Sequence, residues 1–408
     1  MASRLSKATK HARKGLIIFL IFAIATFVFR FIFELTGEDD SQKPGATTNT
    51  STGPYLARDG NLGKIPRPNI KRLQLSPNSS PTTSIIDQQV LPEKPETVYV
   101  YYYNKPREKL GNTAKGRSVA NRLNFTSIER LVSDTELLWQ SDDLSRTLTY
   151  DKLKDIWSYE TDLTRETIPD DIRKTIGTVR ANDYYDETGI DVIAKLGLRD
   201  HNFNRGESRI DYVNIVNSEI KSAPSPSTSQ FVRIAQHQNI LASKTSEKYR
   251  PEEGEVAKTD MLATIRKPDY LNGSATMIVR GEVTNLVPYL VNFDYTQLNI
   301  GDSGIYKMLS VTDAYVRIQA GEGILYWLKL INTDPFSDYE PLAVLEFEID
   351  ASKTQVIYIE PYEWVESEPW TNYLQPYYLF EGIAILEDGR EADFAIILPA
   401  LTDDEYLQ

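Results

Sequence analysis

The sequence predicts an α+β fold: antiparallel sheets, each packed with a helix, arranged as two lobes beyond a single membrane span. Three observations lead there. An apolar run of 21 residues, Gly15 to Leu35, follows a basic tip; a Ser/Thr/Pro-rich stretch comes next; and beyond Thr97 β-rich runs are twice interrupted by short helical patterns.

The first fourteen residues hold Arg4, Lys7, Lys10, Arg13 and Lys14 and no acid. The run after them matches the roughly 20 residues that cross a bilayer as a helix. Arg30 and Glu34 sit in its last turns, where arginine snorkels to the interface and pairs one turn on. Basic residues before the span and Glu38, Asp39 and Asp40 after it place the N-terminus in the cytoplasm and the rest outside. A cleaved signal peptide is the rival reading, because Ala23 and Ala25 resemble a small-residue cleavage site. Cleavage there would leave an apolar new N-terminus, which favours a retained anchor in the cytoplasmic membrane.

The net charge is −13, and the tip contributes +5 of it, which leaves −18 on residues 15–408. Such a surface repels nucleic acid, so no nucleic-acid partner is expected. The chain has no cysteine, which excludes disulfides, thiolate metal sites and cysteine nucleophiles. Export without cysteine fits a bacterial envelope.

Residues 36–96 read as a disordered linker, with a span of roughly 45 Å. Its basic residues Lys64, Arg67, Lys71 and Arg72 read as a solvated segment more readily than as a contact with anionic polymer. A first α+β unit is assigned to 97–232. It opens on the strand TVYVYYY from Thr97, continues into a helix from Asn112 to Leu123 with Asn112 as N-cap, and then forms the meander ELLWQSD, RTLTYDK, IWSYETD. Ile172, Ile176 and Val179 give helical spacing after Pro169, with a break over Ala181 to Gly189 and a second helix over Ile190 to Leu198. RIDYVNIV, a Pro/Ser-rich loop and the strand QFVRIA end this unit.

A second, β-rich unit is assigned to 233–408. After a polar loop over Ser243 to Glu255, strands fall at LATIRK, ATMIVRG, LVPYLVNFDYTQL, ILYWLKLI, LAVLEFEID and TQVIYIEPYEWV. One helix interrupts them: Ser310 caps it, Val311, Ala314, Tyr315 and Ile318 form its apolar stripe, and Gly321 stops it. YLQPYYLFEG and ADFAIILPA form a last hairpin, turned at Asp388-Gly389.

Catalytic patterns are sparse. Gly301-Asp302-Ser303-Gly304 echoes the nucleophile segment of chymotrypsin-like proteases, but Ile305 follows it, and neither His201 nor His237 lies in that family's histidine segment. A turn between strands explains it better, and no catalytic residue is assigned. Three histidines leave little for a metal centre; Asp334, Asp338 and Glu340 could approach calcium but read as an acidic loop, so no metal or cofactor is expected. Glu360, Glu363, Glu366 and Glu368 lie among aromatic rings, the company that sugar-binding sites keep. Tyr358, Trp364, Trp370, Tyr373 and Tyr377 are the candidate binding residues.

YLQPYYLFEG with its returning strand resembles the closing hairpin of PepSY-like domains and of YycI-type extracytoplasmic regulators. SVTDAYVRIQAGEG is similar to the helix before such sheets, and NTAKGRSVANRLNF with its meander resembles a second copy. The resemblance implies no catalytic residues and a single-pass protein that acts on other envelope proteins. The expected function is therefore a non-enzymatic, membrane-anchored extracytoplasmic protein that binds and modulates an envelope partner. The alternatives are a module that binds or hydrolyses cell-wall glycan, and a structural envelope component.

Overall fold

The β-rich runs do become strands, but they join one mixed sheet of 18 strands, with only three α-helices among the described residues. The expected pair of helix-packed, PepSY-like sheets is not what the chain builds. The computed structural model describes residues 62–77, 79–166, 182–199, 204–244, 260–361 and 364–407, all within one compact unit. The basic tip, the apolar run 15–35, the linker up to residue 61 and the helical pattern at Ile172 to Val179 lie outside the described residues. Among the described residues no helix is long and apolar enough to cross a membrane.

The strands follow one another as β1 (Thr82–Ile85), β2 (Thr97–Tyr103), β3 (Arg130–Leu131), β4 (Glu136–Gln140), β5 (Arg146–Asp151) and β6 (Ile156–Thr161). The middle of the chain forms β7 (Arg205–Val216), β8 (Glu219–Ser222), β9 (Phe231–Ser243), β10 (Met261–Arg266), β11 (Ala275–Val279) and β12 (Leu290–Thr296). The last third gives β13 (Ile300–Lys307), β14 (Ile324–Leu330), β15 (Val344–Ile349), β16 (Gln355–Ile359), β17 (Tyr373–Leu386) and β18 (Glu391–Pro399). The helices are α1 (Asn112–Arg122), α2 (Asn182–Lys195) and α3 (Val311–Gln319).

Two long strands organise the sheet. β9 pairs along one edge with β7 and along the other with β11 and then β10. β17 pairs along one edge with β18 and along the other with β16 and then β15. A parallel pairing of β10 with β16 joins the two systems, Ile265 opposite Tyr358. The meander β4-β5-β6 continues into β12, with Trp157 opposite Tyr295.

Side-chain alternation then decides which face is covered. Along β9, Val232 and Ile234 enter the core around Trp157 and Tyr159, where α1 and α2 pack, while Ile240 and Ala242 enter the core around Tyr378 and Phe380, where α3 packs. These residues share one parity, so both cores lie on the same face of β9. The opposite parity, Phe231, Arg233 and His237, faces the side that is helix-free among the described residues.

Local signals succeed unevenly. Ser310 Oγ accepts from the Asp313 amide at 3.0 Å and caps α3 as expected. Asn112 is not a cap: Gly111 holds that position at φ 93°, a left-handed angle that glycine tolerates. Asn112 instead donates through Nδ2 to Lys152 O at 2.5 Å and ties α1 to the meander. The break expected over 181–189 does not occur from Asn182 onward, because α2 runs through it and buries Tyr185, Thr188 and Gly189. Gly301 to Gly304 lies in β13, beside a register shift between Ile300 and Ser303, and is a strand rather than a turn.

The second half of the expected linker is folded. The amide of Ile65 donates to Glu405 O at 3.1 Å, that of Leu407 to Ile65 O at 2.9 Å, and that of Leu73 to Leu325 O at 3.0 Å. β1 pairs in parallel with β15. Residues 62–85 are therefore a strap across the sheet. Ile70 packs against Tyr326, Ile357, Ile359, Tyr377, Leu379, Ala395 and Ile397, the apolar part of the helix-free face. The strap thereby hides apolar surface that would otherwise meet water.

One end of the strap is held by charge. Asp403 accepts from Arg317, with Nη1 to Oδ1 at 3.1 Å, and from Arg67, which also lies over the Tyr406 ring at 4.6 Å. These bonds, Arg317's first, hold the Asp403 carboxyl at a pKa of about 2. An unfolded aspartate titrates near about 3.9, so the tie is complete above that pH and is lost as pH falls towards 2. The carboxylate is exposed, so the effect is local. Protection of the Ile65 and Leu407 amides, relative to their intrinsic exchange rates, is expected to fall below pH 4 before that of β17, and Asp403→Asn should lower it at neutral pH. Unchanged exchange in that variant would mean that the backbone bonds alone hold the strap.

Candidate functional site

The expected aromatic site does not assemble. Tyr358, Tyr373 and Tyr377 are buried at 0, 1 and 2% exposure and present no face to a ligand. They alternate into two cores: Tyr358 donates to Tyr99 O at 2.5 Å, and Tyr377 lies under the strap. Trp364 and Trp370 are half-buried in the loop before β17. Lys105 Nζ lies 4.7 Å from the Trp364 ring centre, and Trp370 Nε1 donates to Glu368 Oε2 at 3.1 Å. Glu360 is buried with Lys267 at 2.8 Å, and Tyr362 and Glu363 lie outside the described residues. The five rings thus form core and rim, with no shared concave strip.

A concave site exists elsewhere, on the part of the helix-free face that the strap leaves uncovered. A groove of about 860 Å³ runs between the β7–β8 hairpin, the open face of β11 and β12, and the loop after β14. A second lobe of about 430 Å³ adjoins it, and Trp327 and Pro335 line both. Volumes of this size suit a ligand of several residues or sugars.

Each wall has a local cause. Asn217 and Ser218 take positive φ of 53° and 67° at the hairpin tip, which lets β8 fold back on β7. Ile215 and Ile220 pack towards Ile278 and Val291, so the hairpin leans over the sheet. The loop Asn332 to Glu340 is pinned at three points: Asp334 Oδ1 accepts from the Ser222 amide at 3.1 Å, Lys329 Nζ donates to Ser337 O at 2.7 Å, and Tyr339 donates to Gln74 O at 2.6 Å.

The floor is an ordered polar network. Arg233, 3% exposed, donates to Asp211 Oδ2 at 3.1 Å, Leu271 O at 2.9 Å and Asn272 Oδ1 at 2.6 Å, and lies 5.3 Å from the Phe336 ring centre. Burial lowers its pKa and Asp211 opposes the shift. Trp327 stacks on Tyr270 with centroids 5.0 Å apart and planes at 17°. Tyr270 donates to Glu381 Oε1 at 2.6 Å, and Arg209 and Arg266 each lie 5.8 Å from its ring centre. Burial, then the Glu381 charge, raises the Tyr270 pKa, so its hydroxyl stays a donor. These bonds fix the Trp327 platform before any ligand arrives.

His237 lies on the same face of β9 but is buried and makes no side-chain hydrogen bond of normal geometry. Burial first, then the Arg266 charge, pushes its pKa down to about 3, so it is neutral at any physiological pH. It has no bond to Ser303 of the protease-like segment, and His201 lies outside the described residues. Among the described residues no group of three or more His, Asp or Glu is placed to hold a metal ion, Asp334, Asp338 and Glu340 included.

The carboxylates of the larger lobe are its distinctive chemistry. Asp269, Asp294, Asp334 and Asp338 all line it, and no lysine or arginine pairs with any of them among the described residues. Asp294 reaches solvent through the groove, yet the concave walls remove part of its hydration. Its pKa is raised for that reason first, against the Ser158 hydroxyl that donates to it at 2.7 Å, with Glu160 adding repulsion.

Sequence reasoning missed Trp327, Tyr270, Asp269 and Asp294. A faint signal existed in ILYWLKLI, where Trp327 and Lys329 share one parity and a polar-facing side is implied. No family model, no curated protein and no solved structure matches this chain.

Proposed function

We propose that this protein is a non-enzymatic binding protein, displayed outside the membrane by its N-terminal segment, that holds an extended polar partner in the groove beside Trp327. The observation that carries this reading is the preformed groove itself: about 860 Å³, open to solvent, on a part of the sheet that neither a described helix nor the strap covers. Its floor is locked by Arg233 and Tyr270, so a ligand meets a rigid surface and little ordering entropy is lost on binding. The residues around it offer carboxylates, amides and an indole face, and the Ser337 hydroxyl, 2.6 Å from Lys329 Nζ, is taken up in pinning the loop after β14. Binding followed by modulation of an envelope partner fits that inventory better than turnover does.

Site-specific photo-crosslinking from Ser337, at the groove rim, tests the proposal against the same probe at exposed Leu131, on β3. A discrete adduct from Ser337 alone, lost in Trp327→Ala, is the expected result. Binding to purified cell-wall polymer that survives Trp327→Ala and disappears in Trp364→Ala and Trp370→Ala would move the site to the loop before β17 and overturn the reading.

A further inference from the structure

We infer that the groove selects a cationic stretch of extended polypeptide, its lysine or arginine side chains pairing with Asp269, Asp294, Asp334 and Asp338 and lying against Trp327. The inference rests on the binding reading above and adds the chemistry of the ligand. Three of the four aspartates are oriented by neutral donors. Asp269 accepts from the Leu271 amide at 3.0 Å and from Asn272 Nδ2 at 2.8 Å, Asp294 from Ser158, and Asp334 from the amides of Ser222 and Phe336, each at 3.1 Å. Such bonds fix a carboxylate's direction and leave its charge to act on a ligand.

The cations of the same lobe are already committed. Lys221 pairs with Glu219 at 3.2 Å, and Arg233 is spent on Asp211, Leu271 and Asn272. Arg233 also attracts Asp269 and Asp294, and Lys267 attracts Asp294, but the carboxylates outnumber the cations, so the lobe keeps an excess of negative charge inside a concave wall, where low-dielectric surroundings strengthen the field. A neutral sugar would bond to these carboxylates but leave their mutual repulsion in place. A cationic segment removes it, and an ammonium or guanidinium group also gains from the half-exposed indole of Trp327. The volume of about 860 Å³, with β8 as one wall, suits a chain of several residues better than a compact cation.

The test is a fluorescence-anisotropy titration of the full-length protein with a fluorescein-labelled peptide of four Lys-Ser repeats, at about 0.15 M salt to screen distant charge. Asp294→Asn with Asp334→Asn keeps shape and acceptors while removing two charges. Asp142→Asn with Asp388→Asn, both exposed and outside the groove, changes net charge equally. The groove pair is expected to weaken binding at least tenfold and the control pair less than twofold. Equal losses would show attraction to the acidic surface at large and overturn the inference. A neutral chito-oligosaccharide that binds in a Trp327-dependent way while the peptide does not would overturn the cationic assignment and leave the groove reading standing. If neither probe binds and Ser337 gives no adduct, both readings fall.

Discussion

Glu166→Ala should destabilise the fold by about 3–5 kcal/mol, the cost of leaving a buried charge alone. The Arg280 side chain is 2% exposed and that of Glu166 8%. Arg280 Nη1 donates to Glu166 Oε1 at 3.0 Å and to Pro288 O at 3.1 Å, and Nη2 binds the other carboxylate oxygen. The guanidinium also lies 5.8 Å from the Phe231 ring centre. Truncating Glu166 therefore leaves the charge of Arg280 without its counter-ion. Replacing both residues by methionine should recover most of the loss, because two apolar side chains need no partner. Urea midpoints of the three proteins decide the matter. A loss under about 1 kcal/mol in Glu166→Ala would mean that water reaches Arg280 freely.

Gly382→Val is expected to cost about 3 kcal/mol, through overpacking between two main chains. Gly382 pairs with Ile349 where β15 meets β17, and a Cβ there would overlap the Glu348 carbonyl oxygen. The contact is backbone against backbone, so no rotamer change relieves it. The strands must separate, and the bond from the Asp350 amide to Glu381 O, 2.9 Å long, goes with them. Since β1 hangs on β15, hydrogen exchange should quicken from Thr82 to Ile85 as well as at the substitution. Unchanged exchange in β1 would show that the strap is held independently of this strand pair.

Elements whose ends are written locally were legible in the sequence. Ser310 and Gly321 bracket α3, and Asp388-Gly389 turns the last hairpin, with Gly389 at φ 81°. The joining of the sheet was not legible, because it depends on partners far apart: Thr264 pairs with Ile357, and Trp157 with Tyr295. Only the first part of β9, the run QFVRIA, was legible, for a second reason. Its stretch Arg233 to Asn239 is polar, yet Gln236 and His237 are buried at 0 and 1% exposure, so no apolar run marked its 13-residue length. Alternation reveals which residues share a face, but not which face another element will cover. Tyr358 and Tyr377 looked like a platform in sequence and went to opposite faces, one under α3's core and one under the strap. Trp327 looked like one more strand residue and became the wall of the groove.

The most direct test of the groove is hydrogen exchange of the full-length protein with and without the lysine-serine peptide at saturation. Slowed exchange confined to residues 219–222, 269–278 and 327–339 is the result this account predicts. Protection centred on residues 364–377, or none at all, would contradict it.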